Sequence, residues 1–200
     1  MNDEMSWVLQ AQQGSDEAFT YIVETYQTPV YNLCYRMLGE PESAEDAAQE
    51  TFLRVYQHIQ RYDQRRPFAT WLLSIAAHYC IDRLRRRKLA IFSIDEADEG
   101  EAGYELPDPA AVTPESASLR KEEREQIQGL LHHLDATDRA AIVMRYWHEL
   151  SEAEIAEALH LTVSAVKSRL HRARRELAGL WQGQAPKTRS QRRPHESPAF

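Results

Sequence analysis

The sequence predicts an all-α protein in which two small helical domains are joined by a flexible acidic linker. Hydrophobic residues recur at spacings of three and four on both sides of the chain's centre, which is typical of amphipathic helices. Hydrophobic residues make up 42% of the 200 positions and only 7 are glycine, a composition suited to a soluble helical protein. The central segment, in contrast, has no sustained periodicity.

The presence or absence of helical periodicity, together with composition, divides the chain into four parts. Residues 1–88 form the first helical domain, and residues 119–182 form the second. Between them, residues 89–118 contain eight acidic residues, three prolines and no Lys or Arg, which predicts a linker. Residues 183–200 are polar, basic and proline-containing, and we expect a disordered tail there.

Helical periodicity predicts the elements of the first domain in turn. The segment from Asp16 to Leu38 is apolar along one face, and Pro29 predicts a kink or break within it. Gly39 and Pro41 end that run, and residues 42–61 form the next helix. The polar loop 63–67 precedes a helix over 68–88 that is apolar around much of its circumference, which predicts burial between neighbouring helices.

Charge is strongly segregated along the chain despite the net charge of -7. Residues 83–88 hold five cations and no anion, more than a helix C-terminus needs to balance its dipole. Residues 162–200 hold nine cations and two anions. The sequence therefore predicts two basic surfaces that are separated by the acidic linker.

The segment from Ser151 to Leu177 has the pattern of a helix-turn-helix. Ser151 and Glu154 are spaced as a capping box, and Thr162 is suited to N-cap the second helix. One buried stripe on that helix comprises Val166, Leu170, Ala173 and Leu177. Ser164, Ser168, His171, Arg172 and Arg175 then point outward, with Lys167, Arg169 and Arg174 on the flanks. Such a face suits the major groove of DNA, whereas a solvated basic helix is the simpler alternative.

Several classes of function lack support in the sequence. Cys34 and Cys80 lie in apolar helical segments without the spacing of a zinc site, so we expect small buried side chains and assign no metal or cofactor. There is no phosphate-binding glycine loop or nucleophile elbow, and we expect no enzyme. We find neither a membrane-spanning run nor an export signal, which predicts a cytoplasmic protein.

Two blocks of sequence resemble the extracytoplasmic-function (ECF) group of bacterial RNA polymerase sigma factors. The first comprises AEDAAQETFLRVYQHI and FATWLLSIAAHYCIDRLRRRK, and the second LDATDRAAIVMRYWHELSEAEIAEAL and AVKSRLHRARREL. The resemblance implies a region 2 domain, a region 4 domain and three partners: core RNA polymerase, through its clamp helices and flap, promoter DNA, and an anti-sigma factor. Docking on the clamp helices falls to Asp46, Gln49, Glu50 and Leu53.

The resemblance also assigns two DNA-binding surfaces. The -10 element, with its melted strand, would be held by Tyr62, Arg65, Arg66, Phe68, His78, Arg83, Arg85 and Arg86. The -35 element would be read by Ser164, Lys167, Ser168, His171, Arg172 and Arg175. We expect Trp71 to pack in the core, and Tyr146 and Trp147 to be core or packing aromatics beneath the helix-turn-helix, rather than to contact DNA.

Four departures from the family pattern concern these surfaces. Ala69 stands where Arg or Lys is common, and His78 where Asn is common. His160 replaces a common glycine in the turn of the helix-turn-helix, which predicts some backbone strain, and Ser164-Ala165 replaces a common Gly-Thr pair. The promoter sequence therefore cannot be transferred from relatives.

Two other classes of protein are compatible with parts of the sequence. A polymerase-independent helix-turn-helix regulator would use the second domain in the same way, but would leave the features of the first unexplained. A nucleic-acid enzyme such as a recombinase would need a catalytic nucleophile in a recognisable sequence context, and the first domain has none. The linker predicts, in addition, that the domains lie close together in the free protein and separate when both promoter elements are read.

Overall fold

The computed structural model describes residues 3–93 and 114–184, and these contain helices but no strand. The helices are α1 (Asp3–Gln12), α2 (Asp16–Leu38), α3 (Pro41–His58), a short 3₁₀ helix (Ile59–Arg61), α4 (Phe68–Ser93), α5 (Pro114–His133), α6 (Ala136–Trp147), α7 (Glu152–Ala158) and α8 (Val163–Gln184). This arrangement confirms the predicted all-α class.

Helices α1 to α4 form the first domain, with α2 in contact with each of the other three. Its core contains fully buried side chains from three of these helices: Ile22, Leu33, Met37, Val55 and Leu72. Cys34 and Cys80 are buried and unoxidised, as predicted. The hydrogen bond between these two thiols, together with burial, raises the pKa of Cys80.

Two predictions about the elements are corrected: there is no break at Pro29, and both ends of the predicted linker are helical. Helix α2 continues through Pro29 without a break, because its buried stripe, which includes Ile22, Val30 and Leu33, runs unbroken past the proline. Packing of such a stripe outweighs the roughly 3 kcal/mol that an internal proline costs. Helix α4 extends to Ser93 and α5 begins at Pro114, so both ends of the predicted linker are helical. The remainder of the linker, and the predicted tail after residue 184, lie outside the described residues.

The boundary between α2 and α3 follows local chemistry. Ser15 caps the start of α2 by accepting a 3.2 Å hydrogen bond from the Ala18 amide. Gly39 ends α2 in the left-handed conformation with φ of 86°, and its amide donates to the Tyr35 carbonyl. Pro41 then begins α3, at a position where a missing amide proton costs nothing.

Helices α5 to α8 form the second domain, which is centred on Met144, Ile155, Val166 and Leu170. The predicted capping box is present, because the Glu154 amide donates to the Ser151 hydroxyl and the Ser151 amide donates to the Glu154 carboxylate. Thr162 accepts from the Ala165 amide at 3.2 Å, which confirms it as the cap of α8.

Ser151→Ala should lower the free energy of unfolding by about 1 kcal/mol, since it removes one half of this capping box. Urea denaturation followed by circular dichroism measures the change. Ser168→Ala is the matched control, because its hydroxyl bonds only the Ser164 carbonyl within the exposed face of α8. If the free energy of unfolding of Ser151→Ala equals that of the wild type, the capping box does not stabilise α7.

The two domains touch, as the linker led us to expect. Helix α2 contacts α5 and α6, and α4 contacts α6 and α7. We call this the closed arrangement. Within the two described ranges, no helix has the length and apolar character required to cross a bilayer.

Candidate nucleic-acid and polymerase interfaces

Helix α8 presents the predicted -35 face to solvent. Ser164, Lys167, Ser168, His171, Arg172 and Arg175 are all exposed, whereas the opposite stripe, Val166, Leu170 and Ala173, is buried. The helical geometry that was inferred from periodicity therefore matches the structure. The face combines short polar side chains near the N-terminus of α8 with cations further along, which is the distribution that base edges and phosphates require.

A buried carboxylate at the start of α6 braces this helix. Asp138 is only 3% exposed, and it accepts hydrogen bonds from Arg169 Nη1 at 2.6 Å and from Arg172 Nη2 at 2.5 Å. Arg172 Nε adds a third bond at 3.1 Å, and this pairing raises the pKa of Arg172. Sequence reasoning missed Asp138, whose only signal was its position in the first turn of a helix. Arg172 therefore orients α8 as well as contributing to its outward face.

The turn of the helix-turn-helix contains the expected left-handed residue. His160 has φ of 53° where a glycine is common, and Glu149, before α7, has φ of 55°. A non-glycine residue in this region carries a modest conformational cost. The turn is held by the Leu161 amide, which donates to the Ala156 carbonyl at 2.8 Å.

Two aromatic residues of the predicted -10 surface are buried instead. Tyr62 is 4% exposed and Phe68 is 3% exposed, and their rings form an edge-to-face pair. Trp71 packs on both rings at 5.1 and 5.7 Å, as expected of a packing residue. The Tyr62 hydroxyl donates to the Arg66 carbonyl and so supports the loop from inside. Neither buried ring is available to stack on a base, because both are packed against other aromatic side chains.

The cations of the same surface are exposed or half-buried, but several are paired within the chain. Arg66 forms a 2.8 Å ion pair with Glu157 of α7, and Arg65 forms one of 2.9 Å with Asp63. Arg83 donates to the Ser43 hydroxyl at 3.1 Å and lies 3.8 Å from the Asp46 carboxylate. Arg85 reaches the Thr137 hydroxyl at 3.4 Å, and Arg86 is exposed. The closed arrangement therefore occupies part of this surface.

The predicted docking face on α3 is open to solvent. Asp46, Gln49 and Leu53 are exposed, and Glu50 is half-buried in an ion pair with Arg54. Leu53 and the neighbouring Tyr56 are each 52% exposed, so two large apolar side chains face solvent on the same helix. An exposed apolar patch rimmed by carboxylates is suited to a protein partner.

Beside this face, α2 and α3 enclose a groove of about 410 Å³ that sequence reasoning missed. Tyr31 lines it, and among the described residues its hydroxyl has no hydrogen-bond partner. Burial, Glu45 and Tyr35 raise the pKa of Tyr31. The apolar stripe that periodicity predicts for α2 does not include Tyr31.

Tyr146 and Trp147 do not lie in the core, although Trp147 packs against a side chain of the other domain. Tyr146 is 52% exposed and Trp147 is 38% exposed. The guanidinium of Arg36, on α2, lies 4.8 Å from the centroid of the Trp147 ring, so this tryptophan contributes a cation–π contact between the domains.

Side chains of the second domain cap the C-terminus of α2. Gln128 Nε2 donates to the carbonyls of Tyr35 and Arg36 at 3.2 and 3.1 Å. Arg139, only 6% exposed, donates to the Met37 carbonyl at 2.5 Å and also to two carbonyls of its own domain. Burial lowers the pKa of Arg139 to about 10. These bonds satisfy helix-end carbonyls that otherwise need water.

Comparison with known proteins finds one family match in each half of the chain. The family model described as Sigma-70 region 2 matches residues 22–89, and the model described as Sigma-70, region 4 matches residues 124–177. The ECF RNA polymerase sigma factor SigW of Bacillus subtilis is 40% identical over 85% of this chain and 92% of its own length. The RNA polymerase sigma-H factor of Pseudomonas aeruginosa is 30% identical over 84% and 88%.

Solved structures agree at the level of the fold. CnrH, in complex with the cytosolic domain of CnrY, matches 92% of this chain and 99% of its own with a TM-score of 0.66 and 26% identity. The sigma factor RpoE of Bartonella quintana, solved with the anti-sigma factor NepR, matches 83% and 98% with a TM-score of 0.65 and 18% identity. With its two regions and its relatives in agreement, the chain belongs to the ECF family of RNA polymerase sigma factors and acts as an alternative sigma factor in transcription initiation.

Proposed function

We propose that the chain docks on core RNA polymerase through α3, reads duplex DNA at -35 through α8 and holds melted DNA at -10 through α4 and the loop before it. The exposed outward face of α8, within a capped helix-turn-helix, is the single observation that carries this assignment. The division of labour follows the regions 1–88 and 119–182. The chain supplies recognition and recruitment, performs no covalent chemistry, and works in the cytoplasm with the polymerase.

At -35, Ser164 and Ser168 lie close to the start of α8, where short side chains can approach base edges. Lys167, His171, Arg172 and Arg175 surround them and are placed to meet phosphates or a guanine edge. Arg172 is already bonded to Asp138, so its contribution is partly to fix the helix for the remaining contacts.

At -10, the proposed surface keeps the five arginines and the histidine of the predicted set but not its two aromatic residues. It comprises Arg65, Arg66, His78, Arg83, Arg85 and Arg86, and it excludes the buried Tyr62 and Phe68. Because Glu157 pairs with Arg66, the second domain covers part of this surface. Separation of the domains is therefore part of the mechanism, since DNA phosphates and Glu157 compete for Arg66.

At the polymerase, Asp46, Gln49, Glu50 and Leu53 form the contact, with the groove beside Tyr31 as its apolar continuation. An anti-sigma factor that holds the domains together would keep both DNA surfaces from working at once. A relative, CnrH, was solved with the cytosolic domain of another protein, which supports a regulatory partner of this kind.

Transcription in vitro tests this function. Purified protein is mixed with sigma-free core polymerase and genomic DNA, and the 5′ ends of new transcripts are sequenced. Discrete starts that share two upstream elements are expected. If no new starts arise and core binding is absent, the chain is instead a polymerase-independent regulator.

Replacing the docking face should weaken core binding by at least about tenfold, since central interface residues often contribute more than 1.4 kcal/mol each. The variant combines Gln49→Ala with Leu53→Ala, both exposed, so the fold should be preserved. Fluorescence anisotropy with core polymerase measures the affinity. Glu125→Ala, an exposed change on α5, is the control. Equal affinity of all three proteins would remove α3 from the interface.

A further inference from the structure

One arginine on the outward face of α8 is bound by a buried carboxylate. Asp138, in the first turn of α6, accepts from Arg172 at Oδ2 and from Arg169 at Oδ1. Asp138 is buried, whereas the side chain of Arg172 is 61% exposed. Arg172 is therefore attached to the protein at one side and open to solvent elsewhere.

Arg172 uses one edge of its guanidinium for this contact. Nε and Nη2 donate to Asp138 Oδ2 at 3.1 and 2.5 Å. A guanidinium has five N–H groups in one fixed plane, so the two bonds leave three of these groups. Among the described residues Asp138 is the one hydrogen-bond acceptor of Arg172. The remaining groups include the neighbouring pair on Nη1 and Nη2, which forms a two-pronged donor at the tip of the side chain.

Asp138 also fixes the direction of this two-pronged donor. A surface arginine ordinarily samples many rotamers, and a binding partner must order it at an entropic cost. Here the carboxylate is itself held in place, because it is buried and because Arg169 Nη1 binds its other oxygen at 2.6 Å. The guanidinium of Arg172 is therefore ordered before any nucleic acid binds.

Arg172 shares a row with the short side chains of the -35 face. Ser164, Ser168 and Arg172 follow one another at intervals of four residues and are all exposed, so they lie along one side of α8. In the major groove, guanine presents two acceptors, O6 and N7, and a bidentate arginine is the commonest specific contact to them. A two-pronged donor of fixed direction matches these acceptors.

A phosphate contact would not require this arrangement. Lysine binds phosphate as a point charge, whereas bidentate recognition of a base edge depends on the orientation of the guanidinium plane. The charges also permit a base contact, because the single carboxylate of Asp138 is shared between Arg169 and Arg172. The cluster therefore keeps one positive charge for the electronegative edge of guanine.

We propose that Asp138 is a positioning residue that presents Arg172 to a guanine, so that this chain requires a G·C pair at one position of the -35 element. This rests on the proposed function, in which α8 reads that element, and it adds the base that is read and the residue that makes the reading selective. Loss of Asp138 lowers the selectivity at that one base pair, in addition to any general loss of binding.

Single-atom changes in the promoter test the contact. A start site is first identified by 5′-end sequencing, and each guanine of its upstream element is then replaced singly by 7-deazaguanine, which lacks the N7 acceptor. Transcription by holoenzyme, reconstituted from the full chain and core polymerase, is compared between the modified and unmodified templates. With the wild type, one of these replacements should lower transcription at least about fivefold, because a hydrogen bond to a charged group is lost.

Two variants should lose this response to 7-deazaguanine. Arg172→Lys keeps the positive charge but not the two-pronged donor, and Asp138→Asn keeps the size of the side chain but not its charge. Each ratio compares two templates with the same protein, so partial unfolding of a variant does not alter it. The matched control is Glu176→Gln, which removes a second carboxylate near Arg172 that, within the described part of the chain, accepts no hydrogen bond from it. This control should keep the wild-type ratio.

The possible failures are distinguishable from one another. If replacement of the whole upstream element leaves transcription unchanged, α8 does not read it and the proposed function is wrong. If the element matters but contains no guanine that responds, or if Asp138→Asn responds as the wild type does, Asp138 does not present Arg172 to a guanine. A wild-type ratio for Arg172→Lys would assign Arg172 to a phosphate and would equally overturn the proposal. Because Arg172 is exposed, Arg172→Lys gives this answer even if Asp138→Asn does not fold.

Discussion

Arg139→Met should lower the free energy of unfolding by about 3 kcal/mol and should separate the domains at neutral pH. The buried guanidinium serves the carbonyls of Met37, His132 and Leu134, and each buried carbonyl left without a donor costs about 1–3 kcal/mol. Methionine fills much of the volume and recovers part of the loss through apolar packing. Urea denaturation gives the stability, and small-angle scattering gives the domain separation.

Arg145→Met is the matched control for this prediction. It makes the same substitution on the same helix at an exposed position, where Nη1 donates to the Leu150 carbonyl at 2.9 Å. We expect less than about 1 kcal/mol of destabilisation and no change in domain separation. If the two variants behave alike, Arg139 is not the anchor of the closed arrangement.

Asp138→Ala should reduce transcription from a -35-dependent promoter by more than about tenfold, a loss of more than 1.4 kcal/mol in promoter recognition. Without the carboxylate, Arg169 and Arg172 no longer hold α8 against α6. Removal of a buried partner should also cost about 2 kcal/mol of folding stability. Transcription by the reconstituted holoenzyme, from a start identified by 5′-end sequencing, measures the first effect.

The variant Glu176→Ala distinguishes the loss of the Asp138 ion pairs from a change in the net charge of the domain. It also removes one anion from the second domain, but at an exposed site on α8. If net charge governed binding, both variants would strengthen the interaction with DNA, because each makes the domain more basic. If Asp138 instead acts by holding α8 in place, the two variants give opposite results. Asp138→Ala then weakens recognition of the -35 element, whereas Glu176→Ala maintains or increases it. Equal gains from both variants would contradict the brace.

The second domain was the more predictable part of the molecule because its signals are local. The capping box of Ser151 and Glu154 spans three residues, and the stripe through Val166 and Leu170 repeats within one helix. Local hydrogen bonds and helical periodicity can be recognised without knowledge of the fold. The same signals placed the outward face of α8 correctly.

The buried aromatic residues show where such reasoning stops. Tyr62 and Phe68 have side chains that suit base stacking and core packing equally well. Their burial depends on Trp71 and on Tyr26, whose ring meets Phe68 at 5.6 Å from a distant helix. Similarly, the local composition of the linker did not reveal that α4 extends to Ser93.

The contact between the two domains could not be predicted from the sequence, for a related reason. Gln128 bonds a carbonyl 93 residues away, and Arg139 bonds one 102 residues away. The acceptors are backbone carbonyls, which every residue carries, so no residue type marks the partner in the sequence. Asp138 was missed in the same way, since its arginines lie 31 and 34 residues along the chain.

The capping of α2 by the second domain links the rigidity of one domain to the position of the other. When the domains part, the last turn of α2 loses the Gln128 and Arg139 donors and must exchange them for water. The Gly39 amide, which closes that turn by donating to Tyr35, then frays more often. Deuterium uptake at this one backbone position should therefore follow domain opening, and it offers a label-free readout of whether the sigma factor is available to polymerase.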